Sequence, residues 1–204
     1  MIVSADVVEL SHGLYHITGV TVKVRIDCNA SSEMIDEESL ASVINAVVKV
    51  GIKKCEPTVA PLARQYRETS SKFLRSHLKH KIRKHHRTWI KDTRICSKKL
   101  LSYCADLMTK CAVKDVDVDH AVVGHSIILF CRVATVEALS DLKQMIDSGR
   151  LSQLFSNMYT ASANTDLTSR LFGGIFRRFT ITATVILSTE EYSRAFESLT
   201  GKFR

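Results

Sequence analysis

Proline is nearly absent from this chain, with two residues, Pro57 and Pro61, among 204. Glycine numbers eight, tryptophan one, and no low-complexity tract occurs. Those shortages exclude collagen-like, Pro-rich and linker-like chains. No stretch approaches the roughly 18 consecutive apolar residues of a membrane-spanning helix. The opening MIVSADVVEL has no basic segment and meets Asp6 and Glu9 before any apolar run could serve as a signal peptide. Neither membrane insertion nor secretion is expected.

Cysteine is present but never paired as C-x-x-C. Cys28, Cys55, Cys96, Cys104, Cys111 and Cys131 are scattered, and three of them share one helical stretch where they cannot easily bridge. That usage fits reduced thiols in a cytoplasmic protein, with the nucleus as the second compartment. A nucleophile elbow and a phosphate-cradling glycine loop are also missing.

What the chain does have is the composition of a globular domain, 45% hydrophobic and 25% charged. Its formal charge of +8 is concentrated. Residues 72–99 hold eleven Lys or Arg against Asp92 alone, which leaves the rest of the chain close to neutral. Any attraction to polyanions is therefore local.

Hydrophobic periodicity gives the elements. In GVTVKVRID, Val20, Val22, Val24 and Ile26 alternate with polar residues, the period of a half-buried strand. DEESLASVINAVVKVGIKKC opens with carboxylates and places Leu40, Val43, Ile44, Val47 and Val48 on one face, predicting a helix that closes near Gly51. Between Pro61 and Gly124 there is neither Pro nor Gly, and apolar residues recur about every fourth position from Leu74 to Cys111. Two long helices with a bend near Asp92-Thr93 are expected there.

AVKDVDVDH and HSIILFCRV read as a hairpin of strands. TVEALSDLKQMIDSGRLSQLFSNMY reads as a helix capped by Thr135, a break at Gly149 and a second short helix. The polar stretch ASANTDLTS reads as a loop, and RRFTITATVILS as a strand. A last helix opens with Ser188 and Glu191 as a capping box and stops at Gly201.

Removing the helical segment leaves β-α-β-β-α-β, so the expected fold class is α+β. More finely, it is a ferredoxin-like α-β sandwich with an antiparallel sheet, a long helical insertion and a C-terminal helix. One domain over residues 1–204 is expected, with residues 57–112 as a basic insertion within it.

SIILFCRVATVEALSDLKQMIDSGRLSQLFSNMY, followed by FRRFTITATVILSTEEYSRAF, resembles a known family. The pattern is a strand, a polar turn, a helix ending at a glycine, a second helix, and an alternating strand that leads into acidic residues and a tyrosine. It is carried here by Leu129, Cys131, Arg132, Leu139, Leu142, Ile146, Ser148, Gly149, Leu151, Leu154, Phe155, Ile181, Val185, Glu190, Glu191 and Tyr192. The family is the TRADD-N-like domain, found at the N-terminus of the death-receptor adaptor TRADD and in related invertebrate immune proteins. The resemblance covers about 70 of the 204 residues. It implies a non-enzymatic interaction module that recruits TRAF-type adaptors in innate-immune or cell-death signalling. The basic insertion and the lack of a death domain depart from the family, and no partner-contact residue aligns.

HLKHKIRKHHRTWIK, residues 77–91, offers Lys79, Arg83, Lys84, Arg87 and Lys91, with Arg94 beyond, for phosphate contact. The same spacing also suits a solvated helix whose apolar side is Leu78, Ile82 and Trp89. Zinc is not expected, because His77, His80, His85, His86 and Cys96 lack paired tetrahedral spacing and lie among cations. Calcium is not expected at Asp115, Asp117 and Asp119, because His120 and Ser126 stand where the loop needs Gly and Glu. Cys131 with His120 or His125 as base is a conceivable nucleophile on neighbouring strand segments, but Cys131 shares the inward register of Leu129 and Val133, where a thiol behaves as a small hydrophobe.

No catalytic residue, cofactor or metal is therefore expected. The first strand has no aromatic, and the RNA-recognition signature K/R-G-F/Y-G/A-F does not occur. Ile128 and Phe130 point to the second face of their strand, where either the inserted helices cover them or they form an exposed patch, and in the second case they are the speculative partner contacts at a sheet face or edge. The alternative reading is a nucleic-acid or anionic-surface binder working through residues 72–99.

Overall fold

The computed structural model describes residues 19–29, 37–54, 56–91, 97–170 and 180–201. Within these, four strands form one antiparallel sheet in the order β2-β3-β1-β4, accompanied by seven helices. The architecture is mixed α+β.

β1 (Val20–Cys28) is the alternating strand expected, with Val22, Val24 and Ile26 at 0% exposure and Thr21, Lys23 and Arg25 facing solvent. It runs between β3 (Ile127–Val133) and β4 (Ala183–Ile186), antiparallel to both. β2 (Val116–Val123) joins β3 through the expected hairpin. The β2–β3 register slips between Val118 and His120, leaving Asp119 as a bulge. Without that extra residue, period two would turn His120 into the core. With it, Ala121 is buried, while His120 pairs with Phe130 on the opposite face.

α1 (Glu37–Lys54) has two glutamates against the positive end of its dipole and runs about one turn past the stop expected at Gly51. It buries Leu40, Ala41, Ile44, Val47 and Val48 in the main core. A helix that contains both prolines comes first, α2 (Glu56–Glu68), and was not expected; the two expected over Leu74 to Cys111 follow as α3 (Lys72–Ile90) and α4 (Lys98–Ala112). The unexpected break lies at Thr69-Ser70-Ser71. Ser71 takes extended backbone, and its hydroxyl accepts the Leu74 amide at 3.3 Å, so a cap ends the run without Pro or Gly. The bend expected at Asp92-Thr93 lies outside the described residues.

α4 contributes Leu100, Cys104, Ala105, Leu107 and Cys111 to the main core, whereas α2 and α3 close a second cluster around Val59, Ala63, Ile82 and Val113. α5 (Val136–Asp147) begins at Thr135, whose hydroxyl accepts the Ala138 amide at 3.1 Å. Gly149, at φ +71°, separates it from α6 (Arg150–Arg170). α6 has 21 residues and runs through the stretch ASANTDLTS, read above as a loop. β4 is shorter than expected, at four residues. Leu151, Leu154, Phe155, Met158 and Tyr159 anchor α6 in the core, and this packing outweighs the weak helix propensity that follows.

α7 (Thr189–Leu199) is capped by Ser188, whose hydroxyl accepts the Glu191 amide at 3.1 Å. The reciprocal half of the expected capping box is used elsewhere. The Glu191 carboxylate accepts the Lys23 backbone amide of β1 at 2.8 Å, just where β4 has ended.

Both outer strands have their edges engaged by helix side chains. Outward amides of the β4 segment bond to hydroxyls of α6, Ile181 N to Thr160 at 3.0 Å, Ala183 N to Ser156 at 2.8 Å and Val185 N to Ser152 at 3.0 Å. The match is geometric, since four helical residues rise about 6 Å and two strand residues about 6.7 Å. At the β2 edge, Asn45 of α1 meets Ala121 twice, its Oδ1 accepting Ala121 N at 2.7 Å and its Nδ2 donating to Ala121 O at 2.9 Å. An Asn45→Leu variant keeps the volume but strands both groups of Ala121. Its expected cost is about 2 kcal/mol in urea unfolding, and a loss under about 0.5 kcal/mol refutes the bridge as a stabilising contact.

Candidate functional site

The catalytic pairing weighed above does not assemble. Cys131 is buried in the inward register, and its thiol is pushed well above its ordinary range, chiefly by burial. His120 lies on the other face of the sheet, and His125 sits exposed in the hairpin turn. Burial also pushes the Cys104 and Cys111 thiols up to about 12, which keeps them protonated and unreactive. Asp115 pairs with Arg67 at 3.0 Å, and Asp119 with Arg132 and the His120 ring, so these carboxylates are engaged by basic side chains instead of converging. Among the described residues no three His, Cys, Asp or Glu side chains form a group that could hold a metal ion.

The sheet face opposite the core is built from cross-strand rows. One row runs His120, Phe130, Lys23, and the next runs Val122, Ile128, Arg25, Ile186. None of these seven residues is buried. The His120 ring stacks on Phe130 with centroids 4.2 Å apart and planes 10° from parallel, and the Lys23 ammonium stands 5.8 Å from the Phe130 centroid. His120 is tied by Nδ1 to Asp119 at 3.0 Å, and Asp119 in turn to Arg132 at 3.4 Å. Val122 is 47% exposed.

The result is an apolar centre edged by cations and a carboxylate. Ile128 and Phe130 thus occupy one patch that is not buried, and of the two outcomes open to them, cover by helices or exposure, the structure has partial exposure. Val122, Ile186 and His120 complete it and were not foreseen. The bulge hid His120, and Ile186 enters only through the β4–β1 pairing.

The six cations singled out on the basic stretch separate. α3 and α4 lie side by side, and Arg83 reaches Asp106 of α4 with both Nε and Nη2, the latter at 2.8 Å from Oδ2. Arg87 donates to Ser102 at 2.9 Å. Lys79 sits close enough to Lys110 of α4 to lower its affinity for a proton. Burial is the main cause of that shift, Lys79 and Arg83 add to it, and Asp106 opposes it. Lys84 and Lys91 face solvent, as does Lys81, which was not singled out. Arg94 lies outside the described residues.

The inward line of α3 is Leu78, Ile82, His86 and Ile90. α3 has no acidic residue, and Arg75, Lys79, Arg83, Arg87 and Lys91 place one cation on each turn. Each such like-charge step costs a helix roughly 0.2–0.5 kcal/mol, and Lys72 and Arg75 stand at the unfavourable end of its dipole. Near that end Phe73 is 85% exposed.

Compared with protein-family models, curated proteins and solved structures, the chain matches none.

Proposed function

We propose that this chain is a non-enzymatic protein-interaction domain of the cytoplasm. In this reading it is a TRADD-N-like module that recruits TRAF-type adaptors in innate-immune or cell-death signalling. The fold we assign to it is ferredoxin-like, with residues 57–112 as the insertion. The strand order β2-β3-β1-β4 and its antiparallel pairing support that assignment.

One observation carries the interaction reading: an aromatic and three aliphatic side chains, Phe130, Ile128, Val122 and Ile186, stand together on an accessible sheet face. Water solvates that patch poorly, and a partner's apolar side chains gain by covering it. Lys23, Arg25 and Arg132 around it give a partner charge to complement, which favours orientation and on-rate over raw affinity. The outer strand edges are engaged by α6 and α1, so addition of a partner strand to the sheet is disfavoured and docking on the face is preferred.

The test is capture by a panel of TRAF-type domains, followed by titration of any domain captured. Phe130→Asp sets a charge at the centre of the patch and is expected to weaken binding by about 30-fold or more, the effect of losing a central anchor worth about 2 kcal/mol. The fold should persist, since Phe130 is only half-buried. Absence of binding to every member of the panel, or equal binding by Phe130→Asp, sinks the proposal.

A further inference from the structure

The uncompensated charge on α3 needs its own account, because neither helix stability nor the sheet-face reading uses it. Arg83 and Arg87 are held in place by Asp106 and Ser102, and Lys81, Lys84 and Lys91 project freely from the same helix. From Lys81 to Lys91 the outward cations span about 15 Å, the length over which one strand of duplex presents about four phosphates.

The shape selects among polyanions. A bilayer offers a plane of charge and rewards apolar side chains set between the cations, but the apolar line of α3 is turned inward and Phe73 alone stands exposed at one end. A single helical ridge, about 10–12 Å across with its side chains, matches the roughly 12 Å major groove of B-form DNA. The deep and narrow groove of A-form RNA does not admit it. We propose that the outward ridge of α3 binds double-stranded DNA by its phosphates, through Lys81, Lys84, Arg87 and Lys91. Sequence preference is not part of the proposal, since phosphate contacts carry none.

The test is a salt titration with a fluorescent duplex DNA of mixed sequence. Four phosphate contacts predict that log K falls against log salt with a slope of about −3 to −4. The variant K81E/K84E/K91E alters only exposed side chains and is expected to lose at least about 100-fold in affinity at low salt. The milder K84Q/K91Q variant should reduce the slope by about 2.

Four results overturn the proposal: no binding, a slope near zero, unchanged affinity of the triple variant, or tighter binding to duplex RNA, single-stranded DNA or phosphatidylserine vesicles than to duplex DNA. The Phe130→Asp variant should bind DNA like wild type, and K81E/K84E/K91E should bind TRAF-type domains like wild type. Failure of one proposal thus leaves the other standing.

Discussion

The variant S152A/S156A/T160A is expected to unfold about 3–5 kcal/mol more easily than wild type, far more than three surface serine or threonine changes ordinarily cost. Ser156 carries most of the effect, being 8% exposed and bonded on two sides, accepting Ala183 N at 2.8 Å and donating to the Ser152 carbonyl at 2.7 Å. Its removal leaves a buried strand amide without a partner, at a cost of about 1–3 kcal/mol. Ser152 and Thr160 are half-buried, so water can replace them in part, and each adds about 1 kcal/mol.

A second readout follows from the same geometry. An edge strand stripped of its side-chain partners presents a row of free amides to a second copy, so the triple variant should also associate in size-exclusion chromatography at concentrations where wild type does not. Gln153→Ala is the control, because Gln153 is exposed and its amide reaches Asn157 on its own helix. A triple variant no less stable than this control would show that the ladder of hydroxyls contributes nothing.

The hydroxyl ladder also marks where sequence reading ended. Leu151, Leu154, Phe155 and Met158 announced the buried face of α6 by their spacing, and all four are buried. Ser152, Ser156 and Thr160 repeat at the same four-residue interval, a signal open to view in LSQLFSNMYT. Its meaning depends on which strand the helix runs along, and that is long-range information. Arg83 and Asp106 are similarly 23 residues apart and meet only because α3 and α4 pair, so a residue that read as a free cation is a tethered one.

The candidate sheet face was half legible. Period two in IILFCRV put Ile128 and Phe130 on one side, and the structure keeps them there. The bulge at Asp119 rested on hairpin register, and no local residue announces it. The extent of α6 and the break at Ser71 are cases where packing and a cap outweighed the propensity pattern. Alternation in β1 and the acidic start of α1 were reliable, because they depend on neighbours a few residues away.

Acid should loosen the packing of α3 on α4 through one side chain. His86 lies on the inward line of α3 at 3% exposure, with Nδ1 2.8 Å from Thr109 Oγ1. The Thr109 hydroxyl donates its hydrogen to the Ala105 carbonyl at 2.7 Å, so it accepts from His86, and Nδ1 must carry the ring proton. A second proton would make a buried cation beside His85. Burial first, and the His85 charge second, therefore lower the His86 pKa from 6.5 to about 4.

The sign follows from linkage. Between pH 6.5 and about 4 the unfolded chain takes up a proton at His86 and the folded chain does not, so stability is complete above 6.5 and drains away as pH falls to about 4. At about 1.4 kcal/mol per pH unit, the whole window amounts to about 3 kcal/mol. His86→Gln retains an amide donor for Thr109 but cannot titrate. Urea unfolding at pH 7 and pH 4.5 should show a fall smaller by about 2–3 kcal/mol in this variant than in wild type, whatever the carboxylates common to both contribute. Parallel pH profiles for the two proteins would mean that His86 is protonated in the folded state without penalty. The α3–α4 contact would then have to accommodate an imidazolium.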